Sequence, residues 1–220
     1  MSIRLDMGDN RIGRHAVNAR PQVNGPAGAL DGYRELVPIY ALGEQVPVIH
    51  PDAFVHPDAV IIGSVTIGAD SSIWPGAVLR GDDGEIHIGA RTSIQDNCVL
   101  HTTREHPTVV GDDCVVGHIV HLEGCTIESG VLIGNGSIVL HRVVVRTGAV
   151  VAANAVVLND TEVPSGAIAV GVPATIKAGR ARPEDISNGV ASYVHRAKVY
   201  RAGLRRIDGP IDGPIDGAPA

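Results

Sequence analysis

Between Ile49 and Ala169 an aliphatic residue returns every six positions. Val55, Ile61, Ile67, Ile73 and Leu79 follow Ile49, and the count resumes at Ile88, Ile94 and Leu100, then at Val110, Val116 and Leu122. It loses one residue and runs on through Ile127, Ile133, Val139, Val145, Val151, Val157, Val163 and Ala169. Four places after these stand small or β-branched residues, among them Ala59, Ser71, Thr92, Cys98, Cys114, Ser137 and Ala155, and glycine often follows directly, as at Gly68, Gly89, Gly111 and Gly134. A period of six is neither the 3.6 of a helix nor the 2 of a half-buried strand. It fits a coil of three short strands, one hexad per side and about eighteen residues per turn. Roughly twenty hexads then make six to seven coils, a prism on the order of 30 Å tall at one strand spacing per coil. The pattern predicts a mainly β chain, a parallel β-helix over residues 46–174.

Outside that range the pattern changes. Residues 1–45 mix Pro, Gly, Asn and Arg without period and are expected to be irregular, covering the open end of the prism. After Gly171-Val172-Pro173 the hexads stop, and Ile186, Val190, Tyr193, Ala197, Tyr200 and Leu204 step by four and three behind Pro183. This predicts an amphipathic helix over 180–206, laid on the prism. The tail, 207–220, repeats Ile-Asp-Gly-Pro and is expected to be disordered.

Composition narrows the picture. Aromatic residues make up only 3% of the chain while glycines number 27, which suits a narrow core without large rings. The net charge of −6 comes without a basic run, so neither nucleic acid nor an anionic membrane is an expected partner. The three cysteines, Cys98, Cys114 and Cys125, lack metal-ligand spacing and read as small buried hydrophobes in a reducing cytoplasm. There is neither the apolar stretch of a signal peptide nor a run long enough to span a bilayer, so a cytoplasmic protein is expected.

Chemistry gathers where the repeat breaks, from Leu79 to Ile88 and from Leu100 to Val110. Such breaks are expected to be loops on one face. Leu79, Leu100 and Leu122 fall on one side of successive coils, so the residues after them, Arg80, His101 and Glu123, form an outward column. One side earlier, Trp74, Gln95 and Gly117 form a second column with His118 beside it; Trp74 is expected to pack at an interface. Arg80, Asp82, Gln95, His101, His118 and Glu123 thus lie on two adjacent columns. Rungs about 4.8 Å apart allow His101 and Glu123 to share a metal ion with bonds of about 2 Å. His118, offset around the corner, meets the same ion only across a subunit boundary. His106, Asp83 and Glu85, in the breaks, are candidates for carrying protons to bulk water, the alternative being plain surface side chains, or for His106 a cap on the pocket. Tyr193 and Tyr200 are expected to pack the helix.

The stretch from Ile49 to about Pro173 resembles the γ-class carbonic anhydrases and their close relatives. The matching segments are Ser72-Ile-Trp-Pro-Gly-Ala-Val-Leu-Arg-Gly-Asp82, Ser93-Ile-Gln-Asp-Asn97, Val99-Leu-His101 and Val116-Gly-His118 leading to Leu122-Glu-Gly-Cys-Thr126. The resemblance implies a left-handed β-helix, a homotrimer, and zinc or iron(II) at each subunit interface, acting on carbon dioxide and bicarbonate. It implies that His101 ligates the ion from one subunit and His118 from its neighbour. Gln95 would orient the bound water or bicarbonate, and Arg80 with Asp82 would make an ion pair beside the site.

One position departs from that pattern: Glu123 stands where a third ligating histidine is usual. A His₂Glu set can hold catalytic zinc, but an anionic ligand lowers the effective charge of the ion and weakens its activation of water. Glu123 is otherwise a salt-bridge partner for Arg80. His121 is an alternative ligand, although its hexad phase aims it away from the column. The leading expectation is a carbonic anhydrase-like hydratase. The alternatives are a coenzyme A-dependent acyltransferase or thioesterase and a non-catalytic trimeric scaffold.

Overall fold

The computed structural model describes residues 37–207. The expected irregular stretch up to residue 36 and the expected disordered tail from 208 lie outside the described residues. The hexads form a left-handed parallel β-helix. One sheet stacks seven short parallel strands, from Phe54–Val55 through Ser93–Ile94 and Leu132–Ile133 to Ile168–Val170, with antiparallel Thr175–Lys177 closing its end. The other two sides belong to one sheet, because Val60–Ile67 and Val78–Ile88 run on around the corner between them.

The inward aliphatics explain why the coils stack. Leu79, Leu100, Leu122, Val139 and Val157 pair rung on rung and are wholly buried. Each two-residue strand offers one inward side chain, too little to hold alone, so stability comes from contact with the coil on either side. Corners turn through left-handed backbone, supplied by Asp70, Arg91 and Asp113 at one edge and by Asn97 and Asn154 at another. Asp and Asn tolerate this conformation because their short polar side chains bond locally. Ile119 (φ 62°), a β-branched residue with no such help, adopts it too, beside His118.

Three features differ from the sequence expectation. Ile39–Tyr40, within the stretch read as irregular, is a strand paired with Ile61–Ile62. The break from Leu79 to Ile88 is a continuous eleven-residue strand rather than a loop. Its partner Val60–Ile67 stays paired on both sides of a register shift between Gly63 and Val65, which pushes Asp82–Glu85 outward as a bulge. The third concerns Trp74, expected at an interface but buried here beneath the chain's own helix.

That helix, α1 (Pro183–Gly203), starts with proline at its first turn and Glu184 and Asp185 against its positive end. Ile186 and Val190 pack on Val115, Leu132 and Val150, while Ala197, Tyr193, Tyr200 and Leu204 pack on Phe54 and Trp74. The helix therefore runs back along the prism towards its first coils. Trp74 donates its indole N–H between Ser72 and Ser93, both at 3.0 Å, so its polar atom is satisfied while its ring is buried.

Candidate metal centre

The strand Val99–His101 lies between Val78–Ile88 and His121–Glu123, with Arg80 opposite His101 and His101 opposite Glu123. Since Leu79, Leu100 and Leu122 point inward, the residue after each points out, and the three form one column. His101 Nδ1 is 3.0 Å from Glu123 Oε1, and its Nε2 is 3.1 Å from Asp82 Oδ1. Asp82 is held on its other side by an ion pair with Arg80.

An imidazole between two carboxylates satisfies both only when both nitrogens carry protons, or when a cation replaces one of those protons. The donor set therefore suits a cation, and His101 with Glu123 supplies two adjacent donors. Burial pushes the Glu123 carboxyl up, but hydrogen bonds from His101 and His121 and the nearby His141 outweigh it and hold it below the ordinary carboxylate value. For Asp82, burial is likewise outweighed, by Arg80, backbone and His101. Both remain anionic at neutral pH.

His121 does not point away from the column. Residues two apart on a strand share a face, and His121 Nε2 lies 3.2 Å from Glu123 Oε2. The hexad count misassigned its direction. His141 completes this surround, with Nε2 3.6 Å from Glu123 Oε1. That nitrogen is buried and has no hydrogen-bond partner.

A second group gathers at the other end of the same face. Asp96 Oδ2 meets His118 Nδ1 at 2.8 Å, and Asn135 Oδ1 accepts from the His118 backbone N–H. A carboxylate on one imidazole nitrogen fixes the tautomer and leaves the other nitrogen as a donor. Gln95, next to Asp96, is buried beneath α1 and bonds Tyr193. Burial raises the Tyr193 phenol above its ordinary value, against the pull of Arg196. Four residues, Ile119 to Leu122, separate His118 from Glu123, and the left-handed turn at Ile119 sets His118 around the corner from the column. Among the described residues no three His, Cys, Asp or Glu side chains of one chain converge to hold a metal ion.

The structure thus brings Arg80, Asp82, His101, His121 and Glu123 together and keeps Gln95 and His118 apart from them. Glu85 pairs with His87 at 2.9 Å, and Asp83 lies 4.0 Å from Arg104, both on the surface. His106 stands beside His141, ring centres 6.1 Å apart, and reaches Arg142. Sequence reading missed roles for Asp96 and His141. One-coil spacing could have found Asp96, since Asp96 and His118 are neighbours on successive rungs. His141 sits at a corner, where hexad phase gives no direction. Cys98, Cys114 and Cys125 are buried, and burial pushes their thiols up to about 12, 11 and 12, which keeps them inert. No helix among the described residues is long and apolar enough to cross a membrane.

Comparison with known proteins agrees with this architecture. The model of the bacterial transferase hexapeptide family (six repeats) matches residues 47–81. Gamma carbonic anhydrase 1 of Arabidopsis thaliana, a mitochondrial protein, is 38% identical over 151 residues, covering 66% of this chain; the chain spans 54% of that protein's length. Among solved structures, the BC4754 gene product of Bacillus cereus, described as a candidate acetyltransferase, is 34% identical with a TM-score of 0.74 over 76% of this chain and 98% of its own. A hexapeptide transferase family protein from Anaplasma phagocytophilum is 34% identical with a TM-score of 0.71, over 76% and 99%. The stacked hexads, the chemistry outside them and these likenesses agree, and the chain belongs to the hexapeptide-repeat β-helix family, within its γ-carbonic anhydrase-like group.

Proposed function

We propose that the protein is a metal-dependent hydratase that interconverts carbon dioxide and bicarbonate at sites shared between the subunits of a homotrimer. The observation that carries this reading is the contact of His101 with Glu123 on adjacent rungs, with Asp96-bound His118 at the far end of the same face. Two complementary halves at opposite edges of one face suit a head-to-tail assembly that closes into a ring. Val99 and Ile138, exposed and stacked above and below His121, give that face an apolar strip for the neighbour.

His101, Glu123 and His118 of the partner subunit would hold zinc or iron(II), which would supply the Lewis acidity that makes water nucleophilic near neutral pH. Arg80 fixes Asp82, and Asp82 fixes the ring of His101, so the imidazole is oriented before substrate arrives. Gln95, buried beneath α1, has no contact with substrate in this reading. His106, partly exposed beside His141, and the surface residues Asp83 and Glu85 would carry protons outward. The negative charge of Glu123 makes this a slower hydratase than a three-imidazole set.

Stopped-flow hydration of carbon dioxide by metal-loaded protein tests the reading. A rate above buffer that His101→Ala abolishes supports it, and a rate equal to buffer overturns it. The likeness to the Bacillus cereus protein, described as a candidate acetyltransferase, favours one competing reading, acyl transfer from coenzyme A. Thermal stabilisation by acetyl-coenzyme A in preference to zinc would select it.

A further inference from the structure

Glu123 is the one departure from the three-histidine pattern, and its surroundings contain two histidines that the proposed function leaves without a task. His121 Nε2 lies 3.2 Å from Glu123 Oε2, on the face shared by residues two apart in a strand. His141 Nε2 lies 3.6 Å from Glu123 Oε1, the oxygen that also meets His101. It is buried and lacks a hydrogen-bond partner, a costly state for an imidazole nitrogen unless a small movement closes a bond.

The backbone makes room for this arrangement. Gly124 follows Glu123 in left-handed conformation (φ 59°), and a Cβ there would stand 2.6 Å from His141 Cδ2 and 2.9 Å from His106 Cβ. The bare glycine therefore lets the His141 ring lie under the turn that carries Glu123. A carboxylate on a flexible two-carbon stem has more freedom than an imidazole, so it makes a poorly defined ligand unless its oxygens are fixed by hydrogen bonds.

We propose that His121 and His141 are positioning residues for Glu123: His121 donates an N–H to Oε2 and His141, after a small closing movement of its ring, to Oε1, fixing the carboxylate's orientation towards the ion it shares with His101. Neither is itself a ligand. The inference rests on the reading of Glu123 and His101 as metal ligands and assigns the pair that makes a carboxylate serviceable in a histidine's place.

The test is cobalt(II) affinity by chelator competition, together with the visible absorption of the cobalt(II) protein, on the full chain. The variants are His101→Ala, Glu123→Ala, His121→Ala, His141→Ala and His141→Gln, each checked for an unchanged thermal midpoint. The expected result is that His141→Ala and His121→Ala weaken binding by about 10- to 100-fold, as loss of an outer hydrogen-bond partner does, and alter the cobalt spectrum. His141→Gln, which keeps an N–H donor, restores most of the affinity. Unchanged affinity and spectrum in both alanine variants, with His101→Ala and Glu123→Ala binding-deficient, would overturn the positioning role alone. Wild-type binding by His101→Ala and Glu123→Ala would overturn the metal-site reading beneath it. Should His141→Ala lose its fold, His141→Gln and His121→Ala carry the comparison: near wild-type affinity in His141→Gln with weakened binding and an altered spectrum in His121→Ala bears the role out, and wild-type affinity and spectrum in His121→Ala overturns it.

Discussion

The coils from Thr126 to Val170 and those from Val78 to Glu123 share one core and differ in what the outward positions beside it carry, although both hold exposed pairs such as Arg91 on Asp113. In the later coils the hexads run unbroken, and outward positions hold charge ladders: Arg146 between Glu128 and Glu162, and Arg142 on Asp160. Such exposed pairs contribute little to stability. In the earlier coils outward positions hold Arg80, His101 and Glu123, and the strands are interrupted by a bulge and a loop. Yet Leu100 and Leu122 are as completely buried as Ile133 and Val145. The comparison teaches that inward positions hold the prism together in both halves, which frees outward ones for chemistry in one of them.

Four experiments break or sharpen that division, taken from the largest expected effect downward. Leu100→Ala should cost about 2–5 kcal/mol, as should Ile133→Ala in the plain coils, whereas His101→Ala should cost about 1 kcal/mol or less. Urea denaturation measures all three, and a His101 cost equal to that of Leu100 would erase the distinction between core and site. Next, His101→Ala and His118→Ala chains should each fail to bind metal alone and recover binding when unfolded and reassembled together. About a quarter of junctions in randomly mixed rings pair an intact His101 with an intact His118; no recovery in equilibrium dialysis would deny that the two halves face each other.

Ile119→Asn addresses the corners. Asn154 makes the equivalent left-handed turn in the plain coils, while Ile119 does so with a β-branched side chain that is 66% exposed. Substitution should stabilise the isolated chain by about 1 kcal/mol, read as a higher urea midpoint, and weaken assembly if Ile119 is covered by the neighbour. The smallest effect is in pH. Asp82 and Glu123 have folded values below their ordinary ones, so the folded chain binds fewer protons than the unfolded chain between the two. Their stabilisation is present above the ordinary carboxylate value of about 4 and is lost as pH falls through the lower folded values. Thermal midpoints of wild type and Asp82→Asn should therefore converge on acidification, and a gap that widens would contradict the assignment.

The prism was legible because its signal is repeated in every coil: inward Ile, Leu and Val at fixed phase name the core one residue at a time. The column of Arg80, His101 and Glu123 followed from the same phase, and the packed face of α1 from its own helical spacing, though not its contact with Trp74. Phase says nothing where the period is broken or the chain turns a corner. The Asp82–Glu85 bulge was read as a loop because sequence does not show that Val60–Ile67 stays paired alongside it. His121 was sent the wrong way by counting hexads where strand alternation governs. His141 reaches Glu123 only because Gly124 lacks a side chain, a contact between coils that no local pattern encodes.

The central claim is that one ion lies between His101 and Glu123 of one subunit and His118 of the partner subunit. An anomalous difference map from crystals grown with zinc, recorded at the zinc edge, tests it most directly. The account predicts one peak per subunit boundary, within bonding distance of those three side chains. A peak elsewhere, or His118 turned from the neighbouring chain with no peak at the boundary, would contradict it.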